Sequence, residues 1–153
     1  MEKTDKLYKV KDIEQAHIAF SIPALPLGHE DSEALKIATI ILGGGMSSRL
    51  FQKVREEMGL CYTVYAYPTF YEGAGKIEIY AGVNPEKRDD AVDAIISVIK
   101  DFAKDGITEK EFTRGREQMK SAFILSQEST SSQMRIYGKE CMCFSKIFDM
   151  NKK

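Results

Sequence analysis

Hydrophobic and polar residues alternate with period two from Ala16 to Ile22, with Ile18, Phe20 and Ile22 on one face and His17, Ala19 and Ser21 on the other. This pattern predicts a half-buried strand, which Pro23 is expected to end because proline has no N–H for a ladder. The period then lengthens. Asp31 is placed to cap a helix in which Leu35, Ala38, Ile41 and Leu42 recur at helical spacing, while Ile37 and Ile40 widen the stripe. Gly43-Gly44-Gly45 forms a corner, and Ser47 or Ser48 opens a second helix predicted to bury Leu50, Phe51, Val54 and Met58 and to stop at Gly59.

Period two returns at Cys61–Tyr67, a strand rich in Tyr, Thr and Val whose end is marked by Pro68. A turn over Tyr71–Gly75 leads into Lys76–Val83, where Ile77, Ile79, Ala81 and Val83 point inward, so the two runs predict a hairpin. Asn84-Pro85 is an N-cap with a first-turn proline, opening a long helix with Ala91, Val92, Ile95, Val98, Ile99 and Phe102 on its apolar face and Asp105-Gly106 at its end. Thr108 and Glu111 form a capping box for a further helix through Phe112, Met119 and Phe123, which Gly115 weakens slightly. The polar run Gln127–Ser132 bends or divides that helix, and a last one is expected to carry Met134, Tyr137 and Met142.

This order predicts an α+β fold of two layers, an antiparallel-rich sheet covered by helices. One sheet face lies under the helices; the other must meet solvent, a second domain or a substrate. The expected organisation is a lead-in arm or edge strand over 1–14, a single domain over 15–140, shortened at both ends, and a tail over 141–153. Shortening would leave apolar surface uncovered, so self-association as a homo-oligomer is also expected.

Composition adds exclusions. The 153 residues suit one domain whose core needs no disulfide or structural metal. A formal net charge of -1 gives no general attraction to nucleic acid or anionic lipid. No run approaches the roughly 20 apolar residues that span a bilayer, and the start lacks the apolar core of a secretory signal, so a soluble cytoplasmic protein is expected. Cys61, Cys141 and Cys143 are an odd number, with the last two too close for an easy bridge, and reduced thiols follow. His17 and His29 add no metal-ligand spacing.

No helical His pair with an intervening Glu is present, and no Ser or Cys has a recognisable base. The sequence therefore shows no complete catalytic apparatus. Its most informative stretch runs from Leu42 to Tyr62. Arg55 falls in the last helical turn and Tyr62 at the start of the following strand, with Gly59 reversing the chain between them. A helical rise of about 4.5 Å and a strand advance of about 7 Å let a cation and a phenol reach one region. Both can donate to carbonyl oxygens or to the oxyanion formed when water attacks an amide, and neither could activate the water. An arginine beside two glutamates is also an ordinary solvated ion pair, a strand tyrosine is also amphipathic packing, and a glycine run is also a flexible connector. Tyr65, Tyr67, Phe70 and Tyr71 form an aromatic cluster suited to core or interface packing, since no basic residues interleave with it.

Residues Leu42-Gly-Gly-Gly-Met-Ser-Ser-Arg-Leu50, then Arg55, Gly59-Leu60 and Tyr62, followed by Gly106-Ile107-Thr108 and Glu128-Ser-Thr-Ser-Ser132, resemble the pitrilysin and insulinase clan of zinc endopeptidases. The match is to the bacterial relatives of mitochondrial processing peptidase, and specifically to the second, non-zinc domain of such enzymes. The resemblance implies that Arg55 and Tyr62 contact peptide near the scissile bond and that Gly43, Gly44 and Gly45 correspond to a substrate-guiding glycine loop. It implies zinc in a partner domain and none in this chain, with that zinc-bearing domain, in the same or a partner chain, and a peptide as partners. The function expected is substrate binding and transition-state support in a zinc-dependent endopeptidase, with no activity in isolation. The alternative is a non-catalytic scaffold or substrate-binding subunit of a processing-peptidase-like complex.

Overall fold

The alternating strands find each other because each has one apolar face to bury. In the computed structural model, which describes residues 14–144, β1 (Ala16–Ala24), β2 (Cys61–Phe70) and β3 (Gly75–Val83) form an antiparallel sheet in the order β1-β3-β2. Most of the expected lead-in segment, and positions 145–153 of the expected tail, lie outside the described residues. Register sets the faces. Ile18 pairs with Ala81, Phe20 with Ile79 and Val64 with Ala81, so the apolar positions of all three strands share one side.

Both outer strands run past the prolines expected to end them, reaching Ala24 beyond Pro23 and Phe70 beyond Pro68. Each is a flanking strand of the described sheet, where one side needs no ladder donor, and proline is tolerated there.

Helices cover the apolar side. They are α1 (Ser32–Gly43), a π-helix (Phe51–Glu57), α2 (Arg88–Asp105), α3 (Glu109–Gln127) and α4 (Thr130–Phe144). The core joins Ile79, Ala81 and Val83 of β3 to Leu50 and Val54 around the π-helix and to Ala91, Ile95 and Val98 of α2. Complete burial of Leu50, Val54, Ile79 and Ile95 stabilises the two layers by about 1.5–3 kcal/mol per side chain. In the second rank, α3 packs on α1, where Gly115 lies against Ile37 and Ile41. That glycine is a point of close helix approach as well as a weak helix former.

Several expected details change. Asp31 stands at the N-cap of α1 without a side-chain cap bond. The turn is closed instead by His29, whose carbonyl accepts from the amide and hydroxyl of Ser32 and whose Nδ1 accepts from the Asp31 amide. Met58, expected on the buried face of the second helix, is exposed, as are Met134 and Met142 of the last helix. Met58 sits where the helix is already turning at Gly59, and the inward line of α4 is Ile136, Tyr137 and Glu140 instead. The long helix starts through a short 3-10 turn, Pro85–Lys87, with the Asn84 side chain accepting from the Glu86 amide at 3.0 Å. The polar run divides α3 from α4 at Glu128-Ser129.

One polar contact ties the helical layer together. The Arg49 Nε and Nη2 donate to the two carboxylate oxygens of Glu111 at 2.7 and 2.8 Å, and Nη2 also donates to the Gly106 carbonyl at 2.7 Å. Glu111 completes the predicted capping box with Thr108, so the same carboxylate holds the start of α3. The guanidinium lies 5.0 Å from the centre of the Phe102 ring.

Chiefly through the Arg49 hydrogen bonds, the Glu111 carboxyl is held down at about 2, against an ordinary value of 4.5. A carboxyl depressed in the folded state adds stability that is complete above its unfolded value and is lost as pH falls through the folded one. The expected window of loss therefore runs from about 4.5 down to about 2. Urea unfolding of the chain and of Glu111→Gln across this window should show a smaller acid loss in the variant; equal losses would mean that the pair adds no acid-labile stability.

Candidate functional site

The π-helix and the turn after it position the two residues singled out by type and spacing. The helix closes with wide rings. The Met58 amide donates to the Lys53 carbonyl at 3.1 Å, an i to i+5 bond. At the exit, the Gly59 amide donates to the Arg55 carbonyl at 3.1 Å and the Leu60 amide to the Val54 carbonyl at 3.0 Å. Each span is one residue longer than in the usual glycine-terminated α-helix. Gly59 takes φ 59°, the left-handed region that glycine enters without a Cβ clash, and Lys87 Nζ donates to its carbonyl at 3.3 Å.

Beyond the turn, Cys61 pairs with Val83 and Thr63 with Gly82, so Tyr62 is the extra residue of a β-bulge. A bulge removes one residue from strict alternation and re-aims its side chain. Here Cys61 is buried under the helices and Tyr62 is 59% exposed. The Tyr62 hydroxyl has no hydrogen-bond partner among the described residues.

Arg55 is also at the surface. Its side chain is 43% exposed, and its 3.9 Å approach to Glu56 is a loose, solvated ion pair worth under ~1 kcal/mol. The stronger constraint is the Phe51 ring one turn back, whose centre lies 4.7 Å from the guanidinium carbon. Burial raises the Cys61 thiol above its ordinary value, and the Arg55 charge opposes that rise. The guanidinium therefore acts on the first residue of β2, the immediate neighbour of Tyr62. Arg55 and Tyr62 flank the Gly59 turn as two exposed donors, with no hydrogen bond between them.

The three glycines divide. Gly43 is the buried last residue of α1, and a Cβ there would meet the Ala66 amide nitrogen at 2.5 Å, so it allows α1 to approach β2. Gly44 and Gly45 are exposed, and the Gly44 carbonyl accepts from Gln118 Nε2 at 3.0 Å. None of the three has positive φ. The corner is thus anchored to α3, and no hydrogen bond joins it to Arg55 or Tyr62 among the described residues.

The sheet face opposite the helices carries a feature that the sequence patterns did not assemble. His17 Nδ1 and the Tyr80 hydroxyl are 2.6 Å apart, Tyr80 stacks on Tyr65 at 5.0 Å between ring centres, and Tyr67 follows at 5.9 Å. Outward positions on three successive strands signalled each residue separately; the β1-β3-β2 order sets them side by side. Glu78, between Lys76 and Thr69, is held below the ordinary carboxylate range chiefly by its bond from Lys76.

These side chains do not make a zinc site. Among the described residues no three His, Cys, Asp or Glu side chains converge to hold a metal ion, and the two histidines are engaged separately, His17 with Tyr80 and His29 with the Asp31 amide.

Comparison with known proteins decides the family. The family model described as Peptidase M16 inactive domain matches residues 2–119. The chain belongs to the M16 peptidase family. It is 41% identical over 143 residues to the zinc protease YmxG of Bacillus subtilis, covering 94% of this chain and 35% of that protein. It is 35% identical over 136 residues to the zinc protease Rv2782c of Mycobacterium tuberculosis, covering 89% and 31%. The chain thus spans about a third of the length of these relatives.

Solved structures agree on the M16 fold. The M16 inactive domain from Pseudomonas fluorescens matches with TM-score 0.67 and 26% identity over 70% of this chain and 26% of that one. A protease from Helicobacter pylori matches with TM-score 0.76 and 21% identity over 84% and 31%. A chain of Complex III2 from Candida albicans matches with TM-score 0.78 and 15% identity over 92% and 36%. The last two likenesses are of fold alone.

The packing of Gly43 gives a direct test on this M16 domain. Alanine usually favours a helix over glycine, whereas here its Cβ would strike backbone. Gly43→Ala is expected to destabilise the domain by about 1–3 kcal/mol, lowering Tm by about 2–4 °C per kcal/mol. Gly73→Ala, where no atom lies within 4 Å of the added carbon, is the control. Thermal unfolding of both checks the assignment; an unchanged Tm for Gly43→Ala would return the glycine run to a simple connector.

Proposed function

We propose that this M16 domain is the substrate-side half of a zinc-dependent endopeptidase acting on peptides or small proteins. The single observation that carries the reading is the Tyr62 bulge beside the Gly59 turn, which leaves a phenol with no hydrogen-bond partner among the described residues next to the strand residue that feels the Arg55 charge. Arg55 and Tyr62 would each donate to a peptide carbonyl, and most strongly to the oxyanion that develops on it. A zinc-bearing domain, in the same or a partner chain, would supply the metal and the activated water. Gly44 and Gly45 would offer exposed backbone to an extended peptide, with Gly43 fixing where that corner stands.

The similarity to proteins named zinc protease supports the catalytic parent. The description of the matching family model as an inactive domain fits a second reading, a non-catalytic scaffold or substrate-binding subunit. In either case exposed Ile124, Leu125, Met134 and Met142 would favour self-association of the isolated chain.

The test uses the parent protein with its zinc-bearing domain and a fluorogenic peptide. Arg55→Ala and Tyr62→Phe are expected to lower kcat by roughly a hundredfold, with bound zinc, measured by metal analysis, unchanged. Full turnover in both variants would remove the assigned roles. A wild-type parent that binds the peptide without cleaving it would favour the scaffold reading.

A further inference from the structure

We infer that Arg49 is a positioning residue for the Arg55–Tyr62 pair, holding the start of the π-helix against the α2–α3 junction and thereby fixing where the Arg55 guanidinium stands. The inference rests on the substrate-side reading above.

The clamp is unusual for a helix start. Arg49 and Glu111 are 24% and 17% exposed at their side chains, so both charges are largely withdrawn from water. Such a pair pays desolvation, and apolar residues of similar size often stabilise as well or better. A fork with three bonds supplies direction as well: both carboxylate oxygens and the Gly106 carbonyl define the plane of the guanidinium, and the Phe102 ring lies against it.

The path from this clamp to the candidate donor is short. Leu50, the next residue, is completely buried, and Phe51 then opens the π-helix and carries the Arg55 guanidinium on its ring. Val54 is also completely buried, and Lys87 holds the Gly59 carbonyl at the exit. The segment between these fixed points has i to i+5 bonds, which are uncommon and local. Loosening its start lets the segment return to α winding, and a shift of one residue in an α-helix turns a side chain by roughly 100° about the axis. Arg55 would then leave its place on the Phe51 ring, just before the Gly59 turn.

The experiment is a kinetic double-mutant cycle in the zinc-bearing parent with the same fluorogenic peptide. Arg49→Met is expected to lower kcat by between about tenfold and a hundredfold, the scale of an ångström-sized misplacement. KM and bound zinc should stay near wild type, because the contact acts in the transition state. Arg49→Lys, which keeps charge and loses the fork, should recover only part of the loss. Adding Arg49→Met to Arg55→Ala should cost nothing further, since the residue acts through Arg55. Should Arg49→Met fail to fold, Glu111→Gln takes its place in the same cycle. Losses that multiply in the double variant, or unchanged kcat in the single Arg49 variant, overturn the inference while leaving the substrate-side reading in place. Unchanged kcat in Arg55→Ala overturns the inference, and unchanged kcat in Tyr62→Phe as well overturns the substrate-side reading with it.

Discussion

The contact on which the helical layer depends is the fork between Arg49 and Glu111. Three segments meet there: the start of the π-helix, the end of α2 through the Gly106 carbonyl and Phe102, and the first turn of α3 through the Thr108 capping box. Apolar burial around Leu50, Val54 and Ile95 brings these helices onto the sheet, but it is non-directional and tolerates sliding. Hydrogen bonds from a planar guanidinium to two carboxylate oxygens do not. The fork thus adds a register to an attraction that has none.

That register matters because the following segment has two irregular joints in about a dozen residues. The π-helix widens the turn before Gly59, and the bulge at Tyr62 inserts a residue after it. Each alone would shift a side chain off its expected face. Together they keep Val54 and Cys61 inside while Arg55 and Tyr62 remain outside. Gly43, packed on Ala66 of the same strand, holds β2 against α1 a few residues further on. The core and the exposed donors are therefore products of one arrangement.

Much of this was legible from residue patterns. Period two at Ile18, Phe20 and Ile22, and at Ile77, Ile79, Ala81 and Val83, identified the buried sheet face. Local chemistry marked the ends: Asn84 before Pro85, Thr108 with Glu111, and Gly59 after the second helix are side-chain or φ preferences that act within a turn. What could not be read depends on pairing between distant segments. Pro23 and Pro68 read as strand ends because the sequence does not say which strands flank the sheet. The bulge at Tyr62 exists only relative to Val83 and Gly82 across the ladder. Glu111 had a local role in the capping box and Arg49 had none, and only the packing of α3 beside the π-helix start made them partners. For the candidate site, type and spacing identified Arg55 and Tyr62, while the π-winding that orients the first left no clear mark in the apolar pattern.

An exposed arginine and an exposed tyrosine are poor catalytic groups while water competes for them. At the dielectric of bulk solvent two unit charges about 4 Å apart interact by only ~1 kcal/mol, and an effective value nearer that of a protein surface raises this about fourfold. The same displacement of water strengthens hydrogen bonds to a developing oxyanion. On the proposed reading, then, Arg55 and Tyr62 become effective only when another surface closes over the Gly59 turn and traps the peptide against it. Their exposure in this domain, at 43% and 59%, is what such a division of labour requires. On that reading one half holds two donors beside the Gly59 turn, and the other would bring both the metal and the covering surface.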